Sequence, residues 1–384
     1  MSLLIPQQLH FSIEEYRARL QRTQAEMERH GLDALLLHQP ENIAWLSGFW
    51  HDGFFAYHAL VVPADGDPIL IERALEDPVA QELSWVNDRR GYLDGEDPEA
   101  LAAAAVAEVT AAGDRVGVEL GSAFLPVARH HRLSALMSDR NLVGHNDIVE
   151  ELRQIKSAQE IAYIRTAGRI ASAAVAAGLR AARVGASELD IAGAVAAAQA
   201  EHGHDSFFGG LGGTICSGWR TIQLHGQHTG RRLERDDRLR LELPGIHRQY
   251  WAKQMRATVL GRPDDDLVRA HEILRAAQDR AIAAMAPGVP AAHIAELCRR
   301  PVLEAGLVER YENRVGYGLG LQFHPTSGDF ALDIDHRTNR KLEAGMVFHM
   351  LLFAAGAAIS ETVVVTDDGC EVLTEGDRSL CAVG

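Results

Sequence analysis

A helix-capping signal, Ser157-Ala158-Gln159-Glu160, most narrows the architectures open to this chain. A serine cap with glutamate three residues on satisfies two orphan helix donors reciprocally. It opens a long helix to about residue 182, directly after a boundary stretch at 147–156. Patterning differs on the two sides of that stretch.

Before it, helix and strand alternate. Ser12-Ile13-Glu14-Glu15 opens a helix that Gly31 closes. Ala34-Leu35-Leu36-Leu37 is a short buried strand. Strands at 58–62 and 68–71 flank the turn Pro63-Ala64-Asp65-Gly66-Asp67. A helix over 97–112 and a strand over 115–119 follow. After the stretch come a helix capped by Ser187, strands at 207–216, 238–243 and 256–260, helices at 264–286 and 290–305, and strands at 346–353 and 357–366. The reading is an α/β domain with a mixed sheet over 1–150 and an α+β domain over 151–384, its helices segregated around an antiparallel sheet.

With 384 residues, 47% hydrophobic and 24% charged, the chain is an ordinary globular protein, not a disordered, collagenous or disulfide-framework one. A net charge of −15 argues against nucleic acid and anionic lipid as partners. No apolar run reaches the ~18 residues of a membrane span. The start, Met1-Ser2-Leu3-Leu4-Ile5-Pro6, does not read as a signal peptide. Four cysteines without a CxxC pair suit reduced thiols, and the expectation is a cytoplasmic enzyme with a small-molecule substrate.

Gly209-Gly210-Leu211-Gly212-Gly213-Thr214 lacks the spacing and the lysine of a phosphate loop and reads as a flexible loop. Of 18 histidines, His225, His324 and His349 sit in suggestive runs, where a neutral imidazole could exchange a proton or bind metal. Lysine occurs three times, as Lys156, Lys253 and Lys341, against 35 arginines.

Asn42-Ile43-Ala44-Trp45-Leu46-Ser47-Gly48-Phe49, Glu151-Leu152-Arg153-Gln154-Ile155-Lys156-Ser157, Gly318-Leu319-Gly320-Leu321 with His324, Leu342-Glu343-Ala344-Gly345-Met346-Val347-Phe348, and Val363-Val364-Val365-Thr366 stand in that order along the chain. Together they resemble the pita-bread family of creatinase, aminopeptidase P and prolidase, over nearly the whole chain. The resemblance implies a creatinase-like N-terminal domain, a pita-bread catalytic domain and a homodimer.

Peptidases of that family hold two metal ions with two Asp, one His and two Glu. The resemblance assigns those positions to Glu242, Lys253, Tyr317, Leu351 and Ser360. Four of these cannot serve, so neither a metal site nor a cofactor is expected. In this respect the chain is more similar to the metal-independent creatinase and ectoine hydrolase branch. The expected function is hydrolysis of a C–N bond in a small zwitterionic amidine or guanidine. The alternatives are a metal-dependent Xaa-Pro peptidase and a non-catalytic binding protein. By resemblance, His225 is the base, with His324 and Glu361 as further catalytic residues. Glu242, Lys253, Tyr317 and His349 are expected to bind substrate, Glu242 and Glu361 at its cation and Lys253 at its carboxylate. Trp50 and Phe54, in an aromatic run, are expected to form a lid.

Overall fold

The structure is a computed structural model that describes residues 5–53, 55–205, 213–323 and 328–383. It divides into two compact units, Met1–Arg153 and Gln154–Gly384.

The first unit runs α1 (Ile13–His30), β1 (Ala34–Leu37), α2 (Pro40–Ser47), β2 (Ala59–Pro63), β3 (Ile69–Arg73), α3 (Asp77–Leu83), β4 (Asp88–Tyr92), α4 (Pro98–Val109), β5 (Arg115–Val118), α5 (Val127–Leu136) and β6 (Asn141–Gly144). Its sheet has the order β4-β3-β2-β1-β5-β6. It is mixed, with β1 antiparallel to β2 but parallel to β5. Ser12 caps α1 and Gly31 ends it at φ +63°.

The Asn42–Phe49 run proves to be a buried helix with a side-chain anchor. Pro40 stands in its first turn and Gly48 closes it at φ +81°. The carboxylate of Glu119 accepts from the backbone N–H groups of His38 and Gln39 at 2.5 and 2.7 Å, and from Asn42 Nδ2 at 2.5 Å. Burial lifts Glu119 to about 7 against the pull of these hydrogen bonds.

Helix α6 (Ile148–Gln154) leads into the second unit: α7 (Ala158–Ala181), α8 (Glu188–Glu201), β7 (Thr214–Ser217), β8 (Arg238–His247), β9 (Tyr250–Leu260), α9 (Asp265–Ala284), α10 (Ala291–Glu304), β10 (Gly316–Gly318), β11 (Asp329–Ile334), β12 (Val347–Ala354), β13 (Ala357–Val365), β14 (Cys370–Val372) and β15 (Cys381–Val383). The capping boxes at Ser157 and Ser187 both form. The sheet order is β11-β10-β12-β13-β9-β8-β7, with β14 on β13 and β15 on β9. All its pairings are antiparallel except that of β15.

Cross-strand pairing fixes which side chains share a face. Leu241 pairs with Arg256, and Arg256 with Ile359. This is the face the helices cover. Leu239, Leu241 and Leu243 pack with Val175, Ile191 and Val195 of α7 and α8. Phe348, Met350, Ile359 and Val363 pack with Leu274 and Ile294 of α9 and α10. The next pairs along each strand, Glu242–Met255, Met255–Ser360 and Ser360–Leu351, therefore form a row on the opposite face.

Candidate active site

That opposite face gathers most of the candidate residues of the second unit. Lys253 stands two residues from Met255 and so shares its side of the sheet. Its buried ammonium lies 3.2 Å from Tyr317 Oη, and 5.6 and 5.3 Å from the ring centroids of Trp251 and Tyr317. Tyr317 Oη is 2.9 Å from His349 Nδ1, and His349 Nε2 is 2.6 Å from Ser360 Oγ. Lys253, Tyr317, His349 and Ser360 thus form one hydrogen-bonded chain across β9, β10, β12 and β13. Glu242 flanks it, with Arg240 Nη1 at 3.3 Å from its Oε2.

The electrostatics follow from burial. Desolvation holds the His349 imidazole well below its ordinary value, and the Lys253 charge adds to this, so the ring is neutral. Desolvation raises Tyr317, as does Glu242. Burial pushes Lys253 down from 10.5 to about 8, while Glu242 pulls it up. A neutral imidazole beside an ammonium gives the chain a direction. Lys253 donates to Tyr317, Tyr317 to His349 Nδ1, and His349 Nε2–H to Ser360.

A pH dependence follows. Between pH 8 and 10.5 the unfolded chain keeps a proton on this lysine that the folded chain releases. Native stability therefore rises with pH across that window. Lys253→Met should abolish this part of the rise. Urea unfolding of the two proteins at pH 8 and pH 10.5 measures it, and an equal rise in both would refute the assignment.

Glu361 requires a correction. It pairs with Met350 and so faces the helix-covered side, away from Ser360 and Glu242. There it is buried, with Arg256 Nη2 at 2.6 Å and Arg378 Nε at 3.1 Å, and it accepts from Gln254 and Thr374 at 3.2 and 2.5 Å. This is a buried ion cluster on the side of the sheet opposite Lys253. The structure does not unite it with the other candidates.

His225 is exposed on a turn after the short 3₁₀ helix Gly218–Ile222. It is outside the buried chain, but its segment is fastened beside Glu242. Arg240 donates to the carbonyls of Thr221 and Gln223 at 3.2 and 2.5 Å. His324 and Phe54 lie outside the described residues, as do residues 206–212, which hold most of the glycine-rich loop. Trp50 belongs to the first unit and packs against His10, ring centroids 6.1 Å apart. Arg240 escaped the sequence reading. Its signal was the strand period of two, which places it on the face of Glu242.

The comparisons agree with this architecture. Residues 19–155 match the creatinase/prolidase N-terminal domain, and 162–367 match metallopeptidase family M24. An uncharacterized hydrolase/peptidase of Sinorhizobium fredii is 30% identical, covering 97% of this chain and 98% of the relative. An uncharacterized peptidase of Staphylococcus aureus is 26% identical over 92% of this chain and 97% of its own. Among solved structures, dipeptidase PepE of Mycobacterium ulcerans superposes with a TM-score of 0.81 at 26% identity, covering 97% of this chain and 99% of that one. A prolidase of Thermococcus sibiricus gives 0.84 at 22% identity over 97% and 100%, a likeness of fold. The chain belongs to metallopeptidase family M24, a family of hydrolases, and carries the creatinase/prolidase N-terminal domain before a pita-bread domain.

The family's name implies metal ions, and this donor set does not fit them. Lys253 presents an ammonium, which repels a cation. Leu351 packs against the buried Met255, Ala257 and Ala358. Ser360 is engaged with His349, and Tyr317 with Lys253. Among the described residues, no three His, Cys, Asp or Glu side chains converge as ligands. Nor is any helix among them long and apolar enough to cross a membrane.

Proposed function

We propose that the chain hydrolyses a C–N bond in a small zwitterionic amidine or guanidine compound, ectoine- or creatine-like, without the family's metal pair. One observation carries this reading: the ligand positions are occupied by Lys253 hydrogen-bonded to Tyr317, by Ser360 hydrogen-bonded to His349, and by Leu351 in an apolar cluster. Side chains alone must then activate water, polarise the electrophile and protonate the leaving nitrogen.

Lys253 is the cation for the carboxylate of the substrate, and Tyr317, which accepts from it, fixes its ammonium. Glu242 holds the planar cation of the substrate, whose geometry suits a carboxylate. His225 accepts the proton of the attacking water and returns it to the departing amine. In this reading, Glu361 keeps the sheet in register instead of touching substrate.

The names of the relatives and of one solved structure favour a second reading, a peptidase, here the Xaa-Pro dipeptidase or aminopeptidase that the family resemblance implies. It requires a metal centre from residues that do not fit one. The two readings part in one experiment on protein purified without chelator. Bound metal is measured, and turnover of creatine, ectoine, hydroxyectoine and proline dipeptides is followed before and after EDTA. The expected result is turnover of an amidine or guanidine that EDTA leaves unchanged. His225→Ala should reduce it by about 100-fold or more, the usual worth of general acid–base catalysis. Dipeptide cleavage abolished by EDTA would establish the second reading. Binding without turnover of any compound would make the chain a binding protein.

A further inference from the structure

Residues 217–229 form an excursion from the sheet between β7 and β8, and His225 stands near its middle. Its only regular element is the 3₁₀ turn Gly218–Ile222, and Trp219 and Ile222 are 70% and 69% exposed. Such a segment has little apolar burial with which to hold one shape.

Both of its ends converge on one fully buried carboxylate, that of Glu188 in the first turn of α8. Oε1 accepts from Ser217 N and Ser217 Oγ, both at 2.8 Å. Oε2 accepts from Thr229 N at 2.8 Å, from Thr229 Oγ1 at 2.9 Å and from Arg220. Five donors thus meet the roughly four lone-pair sites of a carboxylate. Burial would raise this acid, but the hydrogen bonds from Ser217 and Thr229 outweigh it and hold the group ionised. A glutamate at this helix position would favour the dipole from an exposed rotamer as well. Here the side chain turns inward to the excursion instead.

The middle of the segment is tied down separately. Arg240 takes the carbonyls of Thr221 and Gln223 and reaches Glu242. The turn rests on Cys216, so closely that a Cβ at Gly226 would come 2.7 Å from its sulfur. Gly218 adopts φ +58°, where a side chain would be strained and would meet Arg231. His225 itself stays exposed while the backbone around it is gripped from both sides.

We propose that Glu188 is a positioning residue: by clamping Ser217, Arg220 and Thr229 on one buried carboxylate, it sets where His225 stands beside Glu242. This rests on the role given to His225 above. The test uses the full chain with Glu188→Gln, which keeps the size and removes the charge, alone and together with His225→Ala. Two readouts separate the clamp from the chemistry. Amide hydrogen exchange at Ser217 and Thr229 should quicken by roughly tenfold or more, while α9 and α10 stay protected, as a local opening demands. Turnover of the compound found above should fall in Glu188→Gln, yet Glu188→Gln should cost nothing further on a His225→Ala background, as expected when one residue acts through another. If Glu188→Gln does not fold, Thr229→Val, which removes one hydroxyl donor, should quicken exchange at Thr229 alone. Unchanged exchange would overturn the clamp. Full additivity of the two losses would overturn the positioning. Quickened exchange in a protein without turnover would keep the clamp while removing the catalytic reading of His225.

Discussion

Glu361→Ala should destabilise the C-terminal unit by about 3–5 kcal/mol, the usual cost of leaving a buried charge without its partner. The carboxylate is buried between β9 and the C-terminal segment, with Arg256, Arg378, Gln254 and Thr374 all directed at it. Arg256 would keep its bonds to the carbonyls of Asp377, Met255 and Ser360 but lose its counter-charge. Burial already holds that guanidinium below its ordinary value, with the Glu361 charge pulling it up. Glu361→Gln should be milder, since an amide retains an acceptor for Arg256 while losing the charge. Urea unfolding followed by tryptophan fluorescence reads both, because Trp251 lies on β9 in the same sheet. A full loss of turnover with stability unchanged would return Glu361 to the catalytic group and refute its placement here.

That placement shows what the sequence could and could not disclose. Motifs locate a residue along the chain, and Glu361 does stand next to the ligand position at Ser360. In a strand, however, one step reverses the side of the sheet. Without the register, adjacency reads as proximity. Helices α1, α7 and α8 were legible because their signals are local: Ser157 with Glu160, Ser187 with Asp190, Ser12 with Gly31; the shorter α2, α3, α5 and α6 were not read. The long β8–β9 hairpin was read too short at both strands. Its turn residues Arg248 and Gln249 have φ of +53° and +63°. The turn therefore takes the left-handed form that Asn-Gly usually announces, without those residues. The strand Asp88–Tyr92 went unseen because Asp-Arg-Arg-Gly-Tyr has an edge composition, and it does lie at the edge of its sheet. Lys253 stood out by the scarcity of lysine, but its ties to Tyr317 and through it to His349 depend on pairings between strands far apart in sequence. Glu188 had no local signal at all. Its partners lie 29 to 41 residues away.

The row of paired side chains also predicts how the family's chemistry could be put back. Glu242, Ser360 and Leu351 share one face through direct pairing with Met255 and with each other, and Lys253 and Tyr317 meet on that same face. The variant Glu242→Asp, Lys253→Asp, Tyr317→His, Leu351→Glu, Ser360→Glu would set four carboxylates and an imidazole there. Without metal it should be much less stable than the parent, since like charges at close range cannot all ionise. Mn²⁺ or Co²⁺ should then restore stability, by about 2.7 kcal/mol at a concentration 100 times the dissociation constant. The parent should show no such gain, because its ammonium already supplies the positive charge on this face. Thermal unfolding with and without metal, together with bound metal counted after gel filtration, decides the matter. A parent that retains metal as tightly as the variant would mean that residues other than these five form a cage, and the reading of Lys253 as the cation of this site would fall. If instead only the variant binds, the residues at these five positions together are what keep a metal ion off this face.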